Sequence, residues 1–210
     1  MRVFFTRHAQ SAANVGLSSD DFALIPLTEY GHAQAAALAA HWDVVPDLII
    51  VSPFFRTRQT AQPTLDRFAH VPVEYWPVHE FTNLEPSRWN GSQPSERLPF
   101  VQQYWQQCDP AYCDGPGAES FSQLLGRAQA ALDRLSQLPP DTEVLLFTHG
   151  FFLNAIRSLL RAPAASHAEH MLGFVPAFRQ QTIANADRLE MTFTANAGWR
   201  IVEHHAGFIL

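Results

Sequence analysis

Short apolar runs that stop abruptly at charged or polar side chains recur along this chain. Residues 3–6 lead straight into Arg7 and His8, and residues 144–148, the most apolar run in the sequence, end at His149. A buried parallel strand reads as a continuous apolar run, and open α/β sheets bind their ligands at the carboxyl ends of such strands. The pattern therefore predicts a parallel sheet with charged groups gathered at one edge.

Two further apolar runs have the same form. Residues 47–51 end at Ser52-Pro53, with Arg56 at the start of the next predicted helix, and residues 71–76 lie shortly before Glu80. Because the carboxyl ends of parallel strands meet at one edge of a sheet, we expect Arg56 and Glu80 to share a crevice with the arginine and histidine that follow the first run.

Segments with helical spacing of apolar residues alternate with these runs. They begin near Thr28, which is the predicted N-cap of its helix, and near residues 56, 118 and 151. Residues 189–194 and 199–203 read as two strands joined in a hairpin. We therefore predict a three-layer α/β/α sandwich with a mostly parallel sheet and a hairpin at its edge, in a single domain spanning residues 1–210.

Residues 81–118 interrupt the regular alternation of strands and helices. The segment is rich in proline and aromatic residues, and residues 94–107 within it favour a short helix. Long excursions in compact domains often form lids or binding loops. We predict a lid-like insertion, and a packed insertion without ligand contact stays open as the alternative.

Composition restricts the partners of this chain. Apolar residues make up 47% and charged residues 16%, which is typical of a globular protein, and the net charge is −6. An acidic balance argues against nucleic acid and against an anionic membrane surface, so an anion site has to be a local cluster of positive charge. No leader or membrane-spanning run is visible, which predicts a cytoplasmic protein with Cys108 and Cys113 as free thiols.

Five short blocks between residues 6 and 150 carry a family resemblance. They are Thr6-Arg7-His8-Ala9-Gln10-Ser11 with Asn14, Leu27-Thr28 with Gly31 and Gln34, Ser52-Pro53 with Arg56 and Gln59-Thr60-Ala61, Gly117-Ala118-Glu119-Ser120, and Phe147-Thr148-His149-Gly150. In this order they resemble the signature segments of the histidine phosphatase superfamily, the phosphoglycerate mutase-like proteins. The resemblance implies the phosphoglycerate mutase-like form of the α/β sandwich.

The resemblance also implies the roles of the charged groups. His8 is the implied nucleophile, which carries the phosphoryl group as a transient phosphohistidine. Two arginines and two histidines that converge on one pocket suit a phosphate dianion, because they place positive charge and donors around it. The implied phosphate-binding residues are Arg7, Asn14, Arg56, His149 and Gly150. No metal and no cofactor is implied.

Family members use a carboxylic acid to protonate the leaving oxygen and then to activate water. Val78-His79-Glu80 is the best match to that block, which makes Glu80 the predicted acid and base. Glu85 is the competing candidate, because it lies in the same loop and also follows an apolar residue.

Several positions depart from the family pattern or suggest other chemistry. The usual glycine after the nucleophile is Ala9 here, and a positive backbone φ would strain an alanine. The usual glutamate at the next position is Gln10. Histidines elsewhere in the chain lack the spacing of a zinc-protease helix, and we predict them to be solvated. These are His79, His167, His170, His204 and His205.

The predicted function is metal-independent hydrolysis of a small phosphomonoester through a phosphohistidine. Arg88 and Arg97 are the only basic residues of the 81–118 segment, alongside several aromatics. This composition favours an organic phosphomonoester with some apolar character. Phosphoglycerate mutase-type phosphoryl transfer and a non-catalytic phosphate-binding protein are the alternatives. The sequence leaves assembly into a homo-oligomer open.

Overall fold

The computed structural model describes residues 1–206, which contain six strands and seven α-helices. The strands are β1 (Arg2–Arg7), β2 (Leu48–Val51), β3 (Val73–Tyr75), β4 (Glu143–Thr148), β5 (Arg188–Thr194) and β6 (Gly198–His205). The helices are α1 (Glu29–Ala40), α2 (Phe55–Arg67), α3 (Pro86–Trp89), α4 (Pro94–Gln107), α5 (Phe121–Ser136), α6 (Gly150–Arg161) and α7 (His167–Gln180). None of the described helices is long and apolar enough to cross a bilayer.

The strands form one mixed sheet in the order β3-β2-β4-β1-β5-β6. The first four strands along the chain run parallel, whereas β5 is antiparallel to β1 and to β6. The predicted parallel sheet with a hairpin at its edge is therefore confirmed. Strand β3 is shorter than predicted and covers three residues, Val73–Tyr75.

Alternate side chains of the central strands pack against helices on opposite faces of the sheet. Val3 and Phe5 of β1 belong to the core under α5 and α6, whereas Phe4 belongs to the core shared with Leu38 of α1 and Ala61 of α2. All five side chains are at most 2% exposed. Burial on both faces explains why these strands are apolar throughout, and it confirms the predicted three-layer α/β/α arrangement.

The segment 81–118 is anchored to the core through aromatic side chains. Helix α4 has the predicted bounds, and its Tyr104 is 2% exposed. The rings of Phe81 and Trp105 lie 6.0 Å apart, and Trp105 stacks on Phe174 of α7 at 5.4 Å. The insertion therefore lies against α5 and α7, with a well-packed base.

Helix α7 lies in the carboxyl-terminal region for which no motif was found. Its Ser166 N-cap accepts a hydrogen bond from the backbone of Glu169. The predicted exposure of the histidines is wrong for His170, which is 4% exposed and lies with its Nδ1 2.7 Å from Ser158 Oγ of α6. The packing of α7 against α6 buries this ring, a contact that local sequence does not indicate.

Candidate active site

The carboxyl ends of β1 and β4 bring the predicted arginine and histidines together. The two strands pair in parallel, so Arg7 lies opposite Thr148, and the rings of His8 and His149 come within 5.2 Å. Arg56, in the first turn of α2, donates from Nε to His8 Nε2 over 3.3 Å. His8, Arg56 and His149 are 3%, 6% and 0% exposed, so these three side chains are buried at the carboxyl ends of the strands.

Hydrogen bonds define the tautomer of His8. Its Nδ1 lies 2.8 Å from the carbonyl oxygen of Ala9, which can only accept, so Nδ1 carries the proton. Nε2 then keeps a lone pair that faces Arg56. Burial lowers the pKa of His8 well below its usual value, and the charges of Arg56 and Arg7 lower it further. His8 is therefore a neutral imidazole with an available Nε2 lone pair at neutral pH.

The backbone after His8 accommodates Ala9 without the strain that a positive φ would cause. Ala9 does not have a positive φ, and its N–H donates to Thr60 Oγ1 over 3.0 Å. The close approach that requires a glycine occurs instead at Gly31 of α1. A Cβ on Gly31 would lie 2.0 Å from the carbonyl oxygen of Gln10.

Neither of the two arginines has a carboxylate partner, and Arg56 is buried whereas Arg7 is half-buried. Arg7 donates from Nη1 to the Ile183 carbonyl over 2.5 Å, and its Nε is buried with no hydrogen-bond partner. Arg56 donates from Nη1 to the Phe22 carbonyl over 2.8 Å. No carboxylate of residues 1–206 lies within 4.0 Å of either guanidinium. Burial lowers the pKa of Arg56 to about 10, so it stays charged at neutral pH.

His149 forms its hydrogen bond through the other ring nitrogen, Nε2. Its Nε2 lies 2.7 Å from Ser52 Oγ, which already accepts a hydrogen bond from the Phe54 N–H. We assign the Ser52 hydroxyl as the donor to Nε2, which leaves the proton of His149 on Nδ1. That Nδ1 is buried with no partner. Burial, with the charge of Arg56, lowers the pKa of His149 well below its usual value, so this ring is neutral and offers one N–H.

Asn14 lies in the loop after β1 with its amide oriented by three donors. Its Oδ1 accepts from the Ser11 N–H, from Ser11 Oγ and from Asn185 Nδ2 over 2.9–3.1 Å. Since the oxygen is occupied, the Asn14 NH₂ group is the end left to donate. Asn185 also donates to the His8 carbonyl over 3.0 Å.

Glu80 and Glu85 have opposite surroundings. Glu80 Oε1 accepts from the backbone N–H groups of Phe81 and Phe151 over 3.1 and 3.0 Å, and Glu80 lines the same cleft as Arg56. Glu85 instead pairs with Arg88 over 2.9 Å, and the hydrogen bond from Arg88 lowers the pKa of Glu85. The structure thus brings Glu80 to the arginines and leaves Glu85 outside the cleft.

The cleft beside Arg56 has a volume of about 170 Å³ and mostly apolar walls. The apolar side chains that line it are Phe22, Ile25, Phe54, Phe81, Leu84 and Val101. Arg56 and Glu80 also line it, as does Arg97 of α4. The 81–118 segment therefore supplies about half of the residues that line the cleft.

Gly150 begins α6 directly behind Arg7. A Cβ at this position would lie 3.4 Å from Arg7 Nε and 3.3 Å from the ring of Phe178. The absence of a side chain lets the guanidinium and the start of α6 lie close together. The positive end of the helix dipole therefore points toward the cluster.

Four contributors to the cluster escaped the sequence analysis. Ser52 was noted as the end of a strand and as part of a family block but was given no role, and Phe22, Ile183 and Asn185 were not singled out. The last two lie more than 170 residues from His8 in a region without a distinctive motif. Only the pairing of β1 with β5 brings them to the site.

Metal-ligating groups are found at a different place from the cluster. Among residues 1–206, Glu190 of β5 and Glu203 and His205 of β6 lie close enough together to hold an ion. Glu190 also lies 3.6 Å from the guanidinium of Arg2, which already balances part of its charge. None of these groups lies among the residues around His8.

Two arginines and two neutral histidines at the carboxyl ends of parallel strands form a positive cluster of a kind that suits a phosphate dianion. The family model described as histidine phosphatase superfamily (branch 1) matches residues 3–207. The chain therefore belongs to the histidine phosphatase superfamily.

Individual relatives cover the whole chain at low identity. The protein named uncharacterized phosphatase PhoE of Bacillus subtilis is 23% identical over 99% of this chain and 98% of its own length. The probable phosphoglycerate mutase GpmB of Yersinia pestis is 29% identical over 96% of this chain and 91% of its own. The α-ribazole phosphatase of Shigella flexneri is 25% identical, with a TM-score of 0.72 and full coverage of both chains. These comparisons confirm the predicted family, fold and class of enzyme, a phosphatase that acts on phosphomonoesters.

Proposed function

We propose that this protein hydrolyses small organic phosphomonoesters without a metal, through a phosphohistidine on His8. The observation that carries the proposal is the neutral imidazole ring of His8. Its Nε2 lone pair faces Arg56, a buried arginine that has no carboxylate partner. A neutral imidazole nucleophile beside arginines that form no ion pair suits phosphoryl transfer, in which catalysis is mostly positioning and charge stabilisation.

In the first step the phosphate dianion binds among the unpartnered donors of the cluster. Arg7 and Arg56 supply charge, the Nδ1–H of His149 and the Asn14 NH₂ group supply neutral donors, and the start of α6 at Gly150 faces the same anion. His8 Nε2 attacks phosphorus while the ester P–O bond breaks. Glu80, in its protonated form, transfers its proton to the leaving oxygen.

In the second step Glu80 acts as a base. Its carboxylate takes a proton from water, and the water oxygen attacks the phosphorus of the phosphohistidine. The N–P bond breaks, His8 recovers its lone pair, inorganic phosphate leaves, and Glu80 is protonated again. The two backbone N–H groups that hold Glu80 Oε1 keep the carboxyl group at one place in both steps.

The composition of the cleft supports a phosphatase over a phosphoglycerate mutase. A mutase has to hold a compact, highly charged substrate, whereas six of the side chains around this cleft are apolar. The mutase remains the second candidate, because a relative of 29% identity is named a probable phosphoglycerate mutase. The position of Glu80 in the cleft supports catalysis over simple phosphate binding.

The test is hydrolysis of 4-nitrophenyl phosphate with a chelator present. We expect turnover by the parent, a loss of about a thousandfold or more in His8→Ala, and a loss of about a hundredfold or more in Glu80→Gln. Glu85→Gln is the matched control and should keep parent activity. Rapid quenching should trap an acid-labile phosphoryl group on the parent and none on His8→Ala. Activity that survives His8→Ala, or that the chelator removes, would contradict the proposal.

Several properties of the whole protein stay predictions. We expect a cytoplasmic location, one domain over residues 1–210, and a lid role for the 81–118 segment. The substrate partner is a small phosphorylated molecule, and the oligomeric state stays open.

A further inference from the structure

The cleft is lined by a second cation that has no carboxylate partner within the described residues. Arg97, in α4, lines the cleft together with Arg56, and its guanidinium carbon lies 4.7 Å from the centre of the Phe22 ring. Its Nη1 makes one hydrogen bond, of 3.5 Å, to Ser92 Oγ. Among residues 1–206 no carboxylate lies within 4.0 Å of it.

The nearest acidic residue in α4 is engaged elsewhere. Glu96 accepts from the Gln93 N–H over 2.5 Å, as part of the cap of the helix. Burial lowers the pKa of Arg97, with Glu96 opposing the effect. Partial burial of a guanidinium is costly unless an anion or several acceptors offset it, and the described protein supplies one weak acceptor.

A second donor on the same cleft also lacks a partner. Asn83 lines the cleft, and its Nδ2 is buried with no hydrogen-bond partner. Buried amide groups are almost always satisfied, so an acceptor from a bound molecule is the natural complement. Arg97 and Asn83 therefore both line the cleft, and both have N–H groups without an oxygen acceptor.

Phe22 fixes the relation between the two ends of the cleft. Its backbone carbonyl accepts from Arg56, and its ring lies against Arg97. Phe22 therefore contacts both Arg56 and Arg97. Apolar side chains line the cleft that these two arginines share.

We propose that Arg97, assisted by Asn83, binds a second anionic group on the substrate, so that the preferred substrates are phosphomonoesters with an apolar body and a carboxylate or similar anion. The proposal rests on the phosphatase function proposed above. The phosphate occupies the Arg56 end, the apolar body lies between Phe22 and the other apolar walls, and the second anion reaches Arg97. Arg97 is in this view a specificity residue of the 81–118 segment.

The test compares 4-carboxyphenyl phosphate with phenyl phosphate, which differ in the second anion alone. For the parent we expect a kcat/KM ratio that favours the carboxylated ester. Arg97→Met keeps the apolar stem without the charge, and we expect it to lower that ratio about tenfold to a hundredfold, mainly through KM. Arg97→Lys should restore part of the ratio. Arg58→Met is the matched control, because Arg58 also lies over an aromatic ring, Tyr75, but outside the cleft.

The outcomes separate this inference from the proposed function. An unchanged ratio in Arg97→Met, or an equal loss with both esters, would overturn the role of Arg97 while leaving hydrolysis established. A preference for 3-phosphoglycerate over both aryl esters would overturn the apolar body. If the parent hydrolyses none of the three esters, the proposed function fails and this inference fails with it. Thermal unfolding of each variant establishes that it is folded.

Discussion

At the scale of single residues, the cluster depends on two histidines that share one tautomer, with the proton on Nδ1, but use opposite ring nitrogens for their hydrogen bonds. His8 donates from Nδ1 and keeps its Nε2 lone pair, whereas His149 accepts at Nε2 and keeps an unpartnered Nδ1 proton. The Ala9 carbonyl imposes the tautomer of His8, and the Ser52 hydroxyl favours that of His149. Burial beside Arg56 keeps both rings neutral, so one can attack and the other can donate.

Ser52→Ala tests the tautomer of His149. Without the hydroxyl, His149 Nε2 loses its donor, and the proton is free to move from Nδ1 to Nε2. We expect kcat to fall about tenfold, because one donor to the phosphoryl oxygens is lost in part of the population. Ser52→Thr keeps a hydroxyl and should retain more activity than Ser52→Ala.

The decisive measurement for Ser52 is the ¹⁵N chemical shift of the His149 ring, which distinguishes the two tautomers. We expect the parent to be protonated at Nδ1 and Ser52→Ala to show a mixture. A kcat loss with an unchanged tautomer would mean that Ser52 acts only through packing.

At the scale of elements, the start of α1 determines how closely the loop after β1 can be held. Thr28 caps the helix by accepting from the Gly31 N–H over 3.0 Å, and its own hydroxyl donates to Gln10 Oε1 over 2.8 Å. Gly31 lets the helix lie against the Gln10 backbone, two residues from His8. Helix α1 thus supports the loop that carries His8.

Gly31→Ala should destabilise the protein although alanine favours helices. The new Cβ would lie 2.0 Å from the Gln10 carbonyl oxygen, so α1 or the loop has to move. We expect a loss of about 1–3 kcal/mol in the free energy of unfolding, and lower kcat because the shift reaches His8.

Gly126→Ala in α5 is the matched control for this prediction. No atom lies within 4 Å of the Cβ position there, so we expect a gain of about 0.5–1 kcal/mol. Denaturant unfolding measures both variants. Equal stabilisation of both variants would mean that the approach of α1 to Gln10 is not tight in solution.

At the scale of the whole molecule, a protein of net charge −6 holds a small region of concentrated positive charge. The sheet concentrates this charge because the ends of β1, β2 and β4 meet there. This arrangement buries ionisable groups, and burial disfavours their charged forms. Stability and pH are therefore linked through the site.

The sign of that link follows from the lowered pKa values of His8 and His149. Below pH 6.5 the unfolded chain binds protons at these histidines and the folded protein does not, so stability is lost as the pH falls. Each such histidine contributes a slope of up to about 1.4 kcal/mol per pH unit. His149→Asn should show a shallower loss than the parent in denaturant unfolding between pH 7 and pH 5. An identical slope in the two proteins would contradict this origin.

Much of the site could be predicted because its charged residues follow apolar strands in the chain. The runs before Arg7-His8 and His149, and the position of Arg56 after the second run, indicated both the sheet and the edge at which these groups meet. Burial on both faces of a parallel sheet demands such runs, so local composition carries this information.

The different surroundings of Glu80 and Glu85, the contacts of Ile183 and Asn185, and the burial of His170 were decided by tertiary structure alone. The two carboxylates lie in one loop, and the start of α6, 71 residues away, donates one of the two backbone hydrogen bonds that hold Glu80. Ile183 and Asn185 reach the site because β5 pairs with β1. Contacts between segments this far apart depend on how helices and strands pack, and no local pattern of residues encodes them.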